Sequence, residues 1–278
     1  MFFMSILQLI TKRFLILIGI CWPIGMTRDS RAQENTTKIH RQAHAHNDYL
    51  HPNPLQDALE KGFCSVEADI FLHEGQLVVA HTKAEIKPTR TLQALYLDPL
   101  KERVRKNAGN VHQDASRLTL LIDIKSEAVA TYHALDRLLE QYSELFQRTV
   151  NGQSLDGPVI AIVSGNRPFQ LIQDDKSRYV GIDGRLTDLD SDMPPELMPL
   201  ISDNWTIHFR WRGVGNMTEA ERVKLRSIVE RAHGKQRRLR FWATPDVKAL
   251  WQMLADENID LINTDNLGGL SDFLSSRP

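Results

Sequence analysis

The sequence is short of several features that would narrow its class at once. Only two of its 278 residues are cysteine, Cys21 and Cys64. Cys21 lies in an N-terminal apolar segment, so the body of the chain holds a lone thiol and no internal disulfide. Cys64 sits in an apolar run and reads as a small buried hydrophobe. Neither charge is in excess, with 34 Lys and Arg against 35 Asp and Glu, and a chain without a basic footprint is a poor candidate for bulk nucleic-acid binding. Low-complexity segments are missing, as is any internal repeat beyond an alternation of strands and helices. Missing too is an apolar run of the roughly 18 or more residues that a membrane span needs.

The longest apolar run, 14–26, follows Lys12 and Arg13 and has the form of a signal-peptide core, with Ser30-Arg31-Ala32 as a small-x-small cleavage site. The expected organisation is therefore a signal peptide over 1–32, a flexible polar lead-in over 33–41 and one domain over 42–278, in a secreted or periplasmic protein. An uncleaved signal would leave it membrane-anchored. Cys21 lacks the small preceding residue that lipidation requires. Cleavage would remove more basic than acidic residues and leave the rest mildly acidic. A composition of 42% hydrophobic and 25% charged residues suits one large core, and the length is close to the roughly 250 residues of a (β/α)₈ barrel.

What is present is concentrated in residues 42–82. Ser65-Val66-Glu67-Ala68-Asp69-Ile70-Phe71 reads as a strand whose period of two puts Glu67 and Asp69 on one face. Adjacent carboxylates repel unless a cation lies between them, and a hard divalent ion, Mg²⁺ or Ca²⁺, suits oxygen ligands. Gln42 to His46 and Leu77 to His81 are further strand-like runs, each ending in an imidazole.

The H-N-D-Y opening (His46-Asn47-Asp48-Tyr49), the S-V-E-A-D strand and the L-V-V-A-H strand resemble the superfamily of phosphatidylinositol-specific phospholipase C-like and glycerophosphodiester phosphodiesterase-like barrels, closest to a branch that includes a yeast mitochondrial-inheritance family. The resemblance implies an α/β fold, a single (β/α)₈ TIM barrel. It also implies His46 and His81 as the catalytic acid–base pair, Glu67 and Asp69 as metal ligands, and Asn47 among the substrate contacts. The H-R-G and E-N-T motifs usual in glycerophosphodiesterases are absent, which bears on the substrate more than on the chemistry.

Leu118 to Lys125 is the clearest buried strand, and its end places Asp123 and Lys125 on one face. The resemblance makes Asp123 a third metal carboxylate and Lys125 a phosphate contact; a plain ion pair is the alternative. Strands are expected at 159–163, 179–183, 205–211, 241–243 and 259–263, with helices at 54–62, 91–107, 128–146, 218–233 and 247–256. An irregular proline-bearing connection is expected over 187–200. The sixth strand, 205–211, would put Arg210 at its end as a phosphate contact. Lys235 to Arg240 reads as a solvated basic loop. By resemblance, Trp242 walls the site and Asp265, after the eighth strand, joins it.

The expected activity is metal-dependent hydrolysis of a small-molecule or lipid phosphodiester, with one imidazole taking a proton and the other giving one. Peripheral membrane contact is compatible with such a substrate, and no protein partner is implied. Two alternatives remain. A metal-dependent amidohydrolase barrel would use His44-Ala45-His46 as an H-x-H ligand pair, but it leaves the carboxylates and Lys125 unused. A catalytically inactive barrel would serve as a binding module.

Overall fold

Short apolar runs separated by helices close here into a barrel of eight parallel strands. The computed structural model describes residues 37–277, and the chain from Thr37 onward forms one compact unit. The strands are β1 (His40–Ala45), β2 (Phe63–His73), β3 (Gln76–Val79), β4 (Leu118–Ile124), β5 (Arg148–Val150), β6 (Gln153–Leu155), β7 (Val159–Gly165), β8 (Val180–Gly184), β9 (Leu200–Asn204), β10 (Arg238–Trp242) and β11 (Leu261–Thr264). The helices are α1 (Gln56–Glu60), α2 (Asp98–Lys106), α3 (Ala128–Glu140), α4 (Phe169–Asp174), α5 (Trp205–His208), α6 (Glu219–Gly234), α7 (Lys248–Asp256) and α8 (Leu267–Ser275).

Around the barrel the order is β1, β2, β4, β7, β8, β9, β10, β11. Closure comes from β1, which pairs with β2 (Ala45 opposite Val66) and with β11 (Ala43 opposite Ile262), so none of the eight is an open edge. β3 lies antiparallel on the overhanging end of β2, with Ile70 opposite Val79. β5 and β6 form a separate hairpin.

The period of two sorts the strand residues into two populations. Outward positions such as Val66, Ala68, Leu120, Ile122, Val163 and Phe241 pack in the main core beneath the helices. Inward positions stack in layers. Leu121, Ile162, Leu200 and Leu261 form a small apolar plug of their own. Toward the C-terminal ends the inward positions become polar: His44, Glu67, Asp69, Asp123, Ser164, Asp183, Ser202 and Asn263. Active sites of this architecture form at that end.

The sixth barrel strand corrects the sequence expectation. It is Leu200–Asn204, and 205–208 is a short helix. Asn204 stops the strand because its side-chain oxygen accepts a hydrogen bond from Thr206 N at 2.8 Å and caps the turn. Trp205 stacks on Phe209, ring centroids 4.2 Å apart, and meets Phe241 edge-on. Ile207, which a strand facing the core on that side would bury, is 73% exposed. The 235–240 run is also corrected. Arg237 is buried and donates to the carbonyls of Asp188, Ser191 and Met193, while Arg238 and Arg240 open β10. Among the described residues no helix is long and apolar enough to cross a membrane.

Candidate active site

Glu67 and Asp69 leave the same face of β2, and the register of β4 sets Asp123 directly opposite Asp69. One oxygen from each of Glu67, Asp69 and Asp123 falls within 4.8 Å of the others. Lys125 reaches back over them, its Nζ 3.3 Å from Asp69 Oδ2 and 3.0 Å from Asp123 Oδ2. Both the ion pair and the carboxylate cluster expected from sequence are therefore present.

The three carboxylates differ in electrostatics. Burial would raise Glu67, but the Arg240 guanidinium, whose Nη2 donates at 2.6 Å, and His44 outweigh it and hold Glu67 well below the usual carboxylate range. Burial raises Asp69 in spite of Lys125 and the Tyr49 hydroxyl. Burial also raises Asp123, to about 6, with the charges of Asp69 and Glu67 adding to it and Lys125 opposing. Asp69 Oδ1 and Asp123 Oδ1 are buried with no hydrogen-bond partner. Two unpartnered buried oxygens beside an ionised Glu67 are the donor set of a hard divalent cation, so these residues fit one. Gly165 makes the fit possible from β7: at φ +67° it has no side chain, and a Cβ there would stand 1.9 Å from Asp123 Oδ1.

His46 follows β1 directly. Its Nδ1 is 2.7 Å from Asp265 Oδ1, so Nδ1 carries the proton and donates it, and Nε2 is left as the basic nitrogen. Asn47, in left-handed backbone at φ 48°, lies beside the ring with Oδ1 2.8 Å from the oxygen of the Tyr49 hydroxyl. The same hydroxyl donates to Asp69 Oδ2 at 2.7 Å. His81, just beyond β3, puts Nδ1 3.0 Å from the Tyr49 oxygen and 3.2 Å from Asp69 Oδ2. Each imidazole is thus held through Nδ1 by a carboxylate.

Trp242, at the end of β10, lies on the same rim, half-buried, with the Arg185 guanidinium 5.7 Å from its ring centre. Arg185 in turn bonds Asp183 Oδ2 at 2.8 Å. Arg210 is not brought to the site. Because the chain turns into α5 at Trp205, Arg210 ends up exposed, with its backbone N–H donating to Glu221.

Sequence reasoning missed His44, Tyr49 and Arg240 as parts of this arrangement. His44 is fully buried, with Nδ1 2.7 Å from Ser65 Oγ and Nε2 3.2 Å from Glu67 Oε2. Burial first, and Arg240 next, bring its pKa down to about 3, against the pull of Glu67. With both ring nitrogens engaged by Ser65 and Glu67, His44 packs beneath the carboxylates, a placement that speaks against the H-x-H ligand pair of the amidohydrolase alternative. The available signals were the inward alternation of β1 and β10 and the tyrosine of the H-N-D-Y opening.

Residues 33–183 match the family model of the AIM6-like phosphodiesterase domain. Curated relatives include altered inheritance of mitochondria protein 6 of Eremothecium gossypii, 26% identical over 273 residues that cover 84% of this chain and 69% of the relative. A homolog of that protein from Arthroderma benhamiae is 28% identical over 258 residues, 81% of each chain. Among solved structures, the chain is similar to a calcium-dependent phosphoinositol-specific phospholipase C from a Pseudomonas species, with TM-score 0.57 and 15% identity over 85% of this chain and 98% of that one. It is also similar to a glycerophosphodiester phosphodiesterase from Agrobacterium tumefaciens, with TM-score 0.51 and 15% identity over 85% and 100%. At such identity the likeness is one of fold. The curated relatives correct the expectation of a secreted or periplasmic protein, since they are fungal proteins named for the inheritance of mitochondria. The signal peptide expected over 1–32 lies outside the described residues.

Proposed function

Since the chain belongs to the AIM6-like phosphodiesterase domain family, we propose that it is a metal-dependent phosphodiester hydrolase acting on a glycerophosphodiester or a phospholipid headgroup. What carries the assignment is the conjunction of two imidazoles, each anchored at Nδ1 by a carboxylate, with three clustered carboxylates that leave two buried oxygens unpartnered. Held by Glu67, Asp69 and Asp123, a Mg²⁺ or Ca²⁺ ion would supply positive charge to the phosphate's non-bridging oxygens.

The protein's own groups do the rest. Lys125 Nζ, fixed between Asp69 and Asp123, adds a second positive centre where the phosphate oxygens come to lie. His46 Nε2 takes the proton of the attacking hydroxyl, and Asp265 stabilises the imidazolium that forms. His81 gives a proton to the departing alkoxide, its ring oriented by Tyr49 and Asp69. Microscopic reversal of the two roles is compatible with the same geometry. Trp242 and Arg185 form the wall against which the alcohol portion rests. A phospholipid substrate would bring peripheral membrane contact, and exposed Leu50, Ile207 and Val214, in the segments that follow β1 and β9, provide apolar surface for it. No nucleic acid or protein partner enters the proposal.

The decisive experiment is a turnover screen with glycerophosphodiesters, phosphoinositides and lysophospholipids, in Mg²⁺, in Ca²⁺ and in chelator. Turnover should need a cation, and His46→Ala or His81→Ala should lower it by on the order of 10²-fold or more without emptying the metal site. Wild-type protein that turns over none of these substrates, or turnover indifferent to chelator, would sink the assignment.

A further inference from the structure

The N-terminal ends of the strands enclose a second cavity, on the opposite side of the Leu121, Ile162, Leu200 and Leu261 plug from the acidic mouth. It measures about 420 Å³, and Arg41, Cys64, Arg117, His233, Arg238 and Asp260 are among the residues that line it. Where the C-terminal mouth gathers carboxylates, this one gathers guanidinium groups. Asp260, the acidic residue of the lining, is already engaged: its Oδ2 accepts from His233 Nε2 and from Leu239 N, both at 2.8 Å. Burial pushes the Cys64 thiol up to about 12, so it brings no negative charge.

The three arginines are not equivalent. Arg41 reaches outward to Asp114 at 3.1 Å, and Arg117 to Asp156 at 3.1 Å. Arg238 lines the cavity and forms no salt bridge among the described residues, the Asp260 charge acting on it from beyond ion-pair distance; its Nη2 is sealed off without a hydrogen-bond acceptor. Two residues further along the same inward face of β10, Arg240 has Glu67 and Asn263 as acceptors. The contrast is informative because a buried guanidinium nitrogen without an acceptor is rare and costly. Arg238 therefore keeps an uncompensated charge beside a cavity large enough for an ion, and an anion there would offset it.

We propose that this cavity is a binding site for a small phosphate-class oxyanion, separate from the catalytic mouth, with Arg238 as its central donor and Arg117 and Arg41 as charges at its rim. The guanidinium charge of Arg238 attracts a tetrahedral anion, whose oxygens accept from the N–H groups that face the cavity. The apolar plug keeps this anion apart from the carboxylates at the other end. Nothing in the inference depends on the chemistry assigned to the mouth.

Calorimetric titration of the full chain with inorganic phosphate tests it. Chelator is included so that the carboxylate mouth, without a cation, repels the probe. The wild type should bind one phosphate saturably, with affinity falling as salt rises. Arg238→Met, which keeps most of the side-chain volume, should weaken binding about tenfold or more, as loss of a charge-assisted hydrogen bond does. Arg117→Gln, at an exposed position that does not threaten folding, should weaken it about two- to fivefold. Absence of saturable binding at millimolar phosphate, or either folded variant binding as tightly as the wild type, would overturn the site.

Discussion

Asp265 Oδ1 stands 2.7 Å from His46 Nδ1, and burial, which alone would lower the imidazole's proton affinity, is outweighed by that hydrogen bond and by the Glu67 and Asp265 charges, so its pKa is raised. Asp265→Ala removes the hydrogen bond and the Asp265 charge and leaves burial and the Arg240 charge opposed by Glu67 alone. The titration of His46 followed by NMR should then move down, and the acidic limb of any rate profile should move to lower pH with it; an unchanged midpoint would separate the two residues. Asp48 offers a second test at this scale. Fully buried, it accepts from Leu55 N at 2.6 Å and from the Tyr96 hydroxyl at 2.9 Å, yet burial raises it to about 6. The folded state therefore binds this proton more tightly than the unfolded state. Its contribution is fully present below the unfolded value of 3.8 and is lost as pH rises through about 6. Asp48→Asn should be more stable than the wild type at pH ~7.5 by on the order of 1 kcal/mol, with the advantage shrinking toward pH ~4.5. Denaturant titrations at the two pH values measure this, and an advantage independent of pH would refute it. Much of this scale was legible because Glu67, Asp69, His46 and His81 lie close together in sequence and period-two alternation pairs the carboxylates. Arg240 was not, because its acceptor Glu67 is 173 residues away and its neighbours Arg237 and Arg238 make the segment look solvated.

Between residues and barrel, the ends of individual strands decide whether a side chain reaches the site. β4 delivers Asp123 only because β7 ends in Gly165, whose φ of +67° and missing Cβ leave room for the carboxylate. Gly165→Ala would place a methyl 1.9 Å from Asp123 Oδ1 and 2.6 Å from the Ile124 carbonyl oxygen, so the carboxylate must swing away. Expected consequences are a loss of Mg²⁺ or Ca²⁺ affinity of about tenfold or more and a stability cost of roughly 1–3 kcal/mol for an alanine in left-handed backbone under steric pressure. Calorimetric metal titration beside thermal unfolding separates the two, and full metal affinity would show that Gly165 gives Asp123 no room it needs. The β4 strand was plain in sequence because a run of aliphatics ending in two opposite charges has few other uses. The β9 strand was hidden for an equally local reason. Leu200-Ile201-Ser202 follows Pro199 and offers only a short apolar signal, whereas Trp205 to Trp211 alternates convincingly although Asn204 caps it into a helical turn. That misplacement is what drew Arg210 toward the site.

The whole barrel is layered along its axis: a carboxylate cluster with its Lys125, Arg185 and Arg240 partners at the C-terminal mouth, aliphatics at the waist, and Arg41, Arg117 and Arg238 at the N-terminal mouth. The strand and helix alternation made a parallel sheet covered by helices legible, and its closure with eight strands came from the family resemblance, with which the chain length agrees. The layering was not legible, because it depends on which inward positions of non-adjacent strands share a height, a matter of register and shear rather than of composition. Its energetic consequence belongs to the molecule as a unit. Glu67, Asp69 and Asp123 are brought within 4.8 Å only when β2 and β4 are paired, so a cation that uses all three binds the folded chain and not the unfolded one. Mass action then makes the cation a stabiliser of the entire barrel, by about 2.7 kcal/mol at a hundredfold excess over its Kd. For a chain of this size that is a rise in Tm of roughly 5–10 °C. Thermal unfolding in chelator and in graded Mg²⁺ or Ca²⁺ should show the rise in the wild type and lose most of it in Asp123→Asn, while His81→Ala, which leaves the three carboxylates in place, should keep it. A wild type whose Tm ignores both cations would mean that Lys125 alone neutralises the cluster and that the unpartnered oxygens of Asp69 and Asp123 serve something other than a metal.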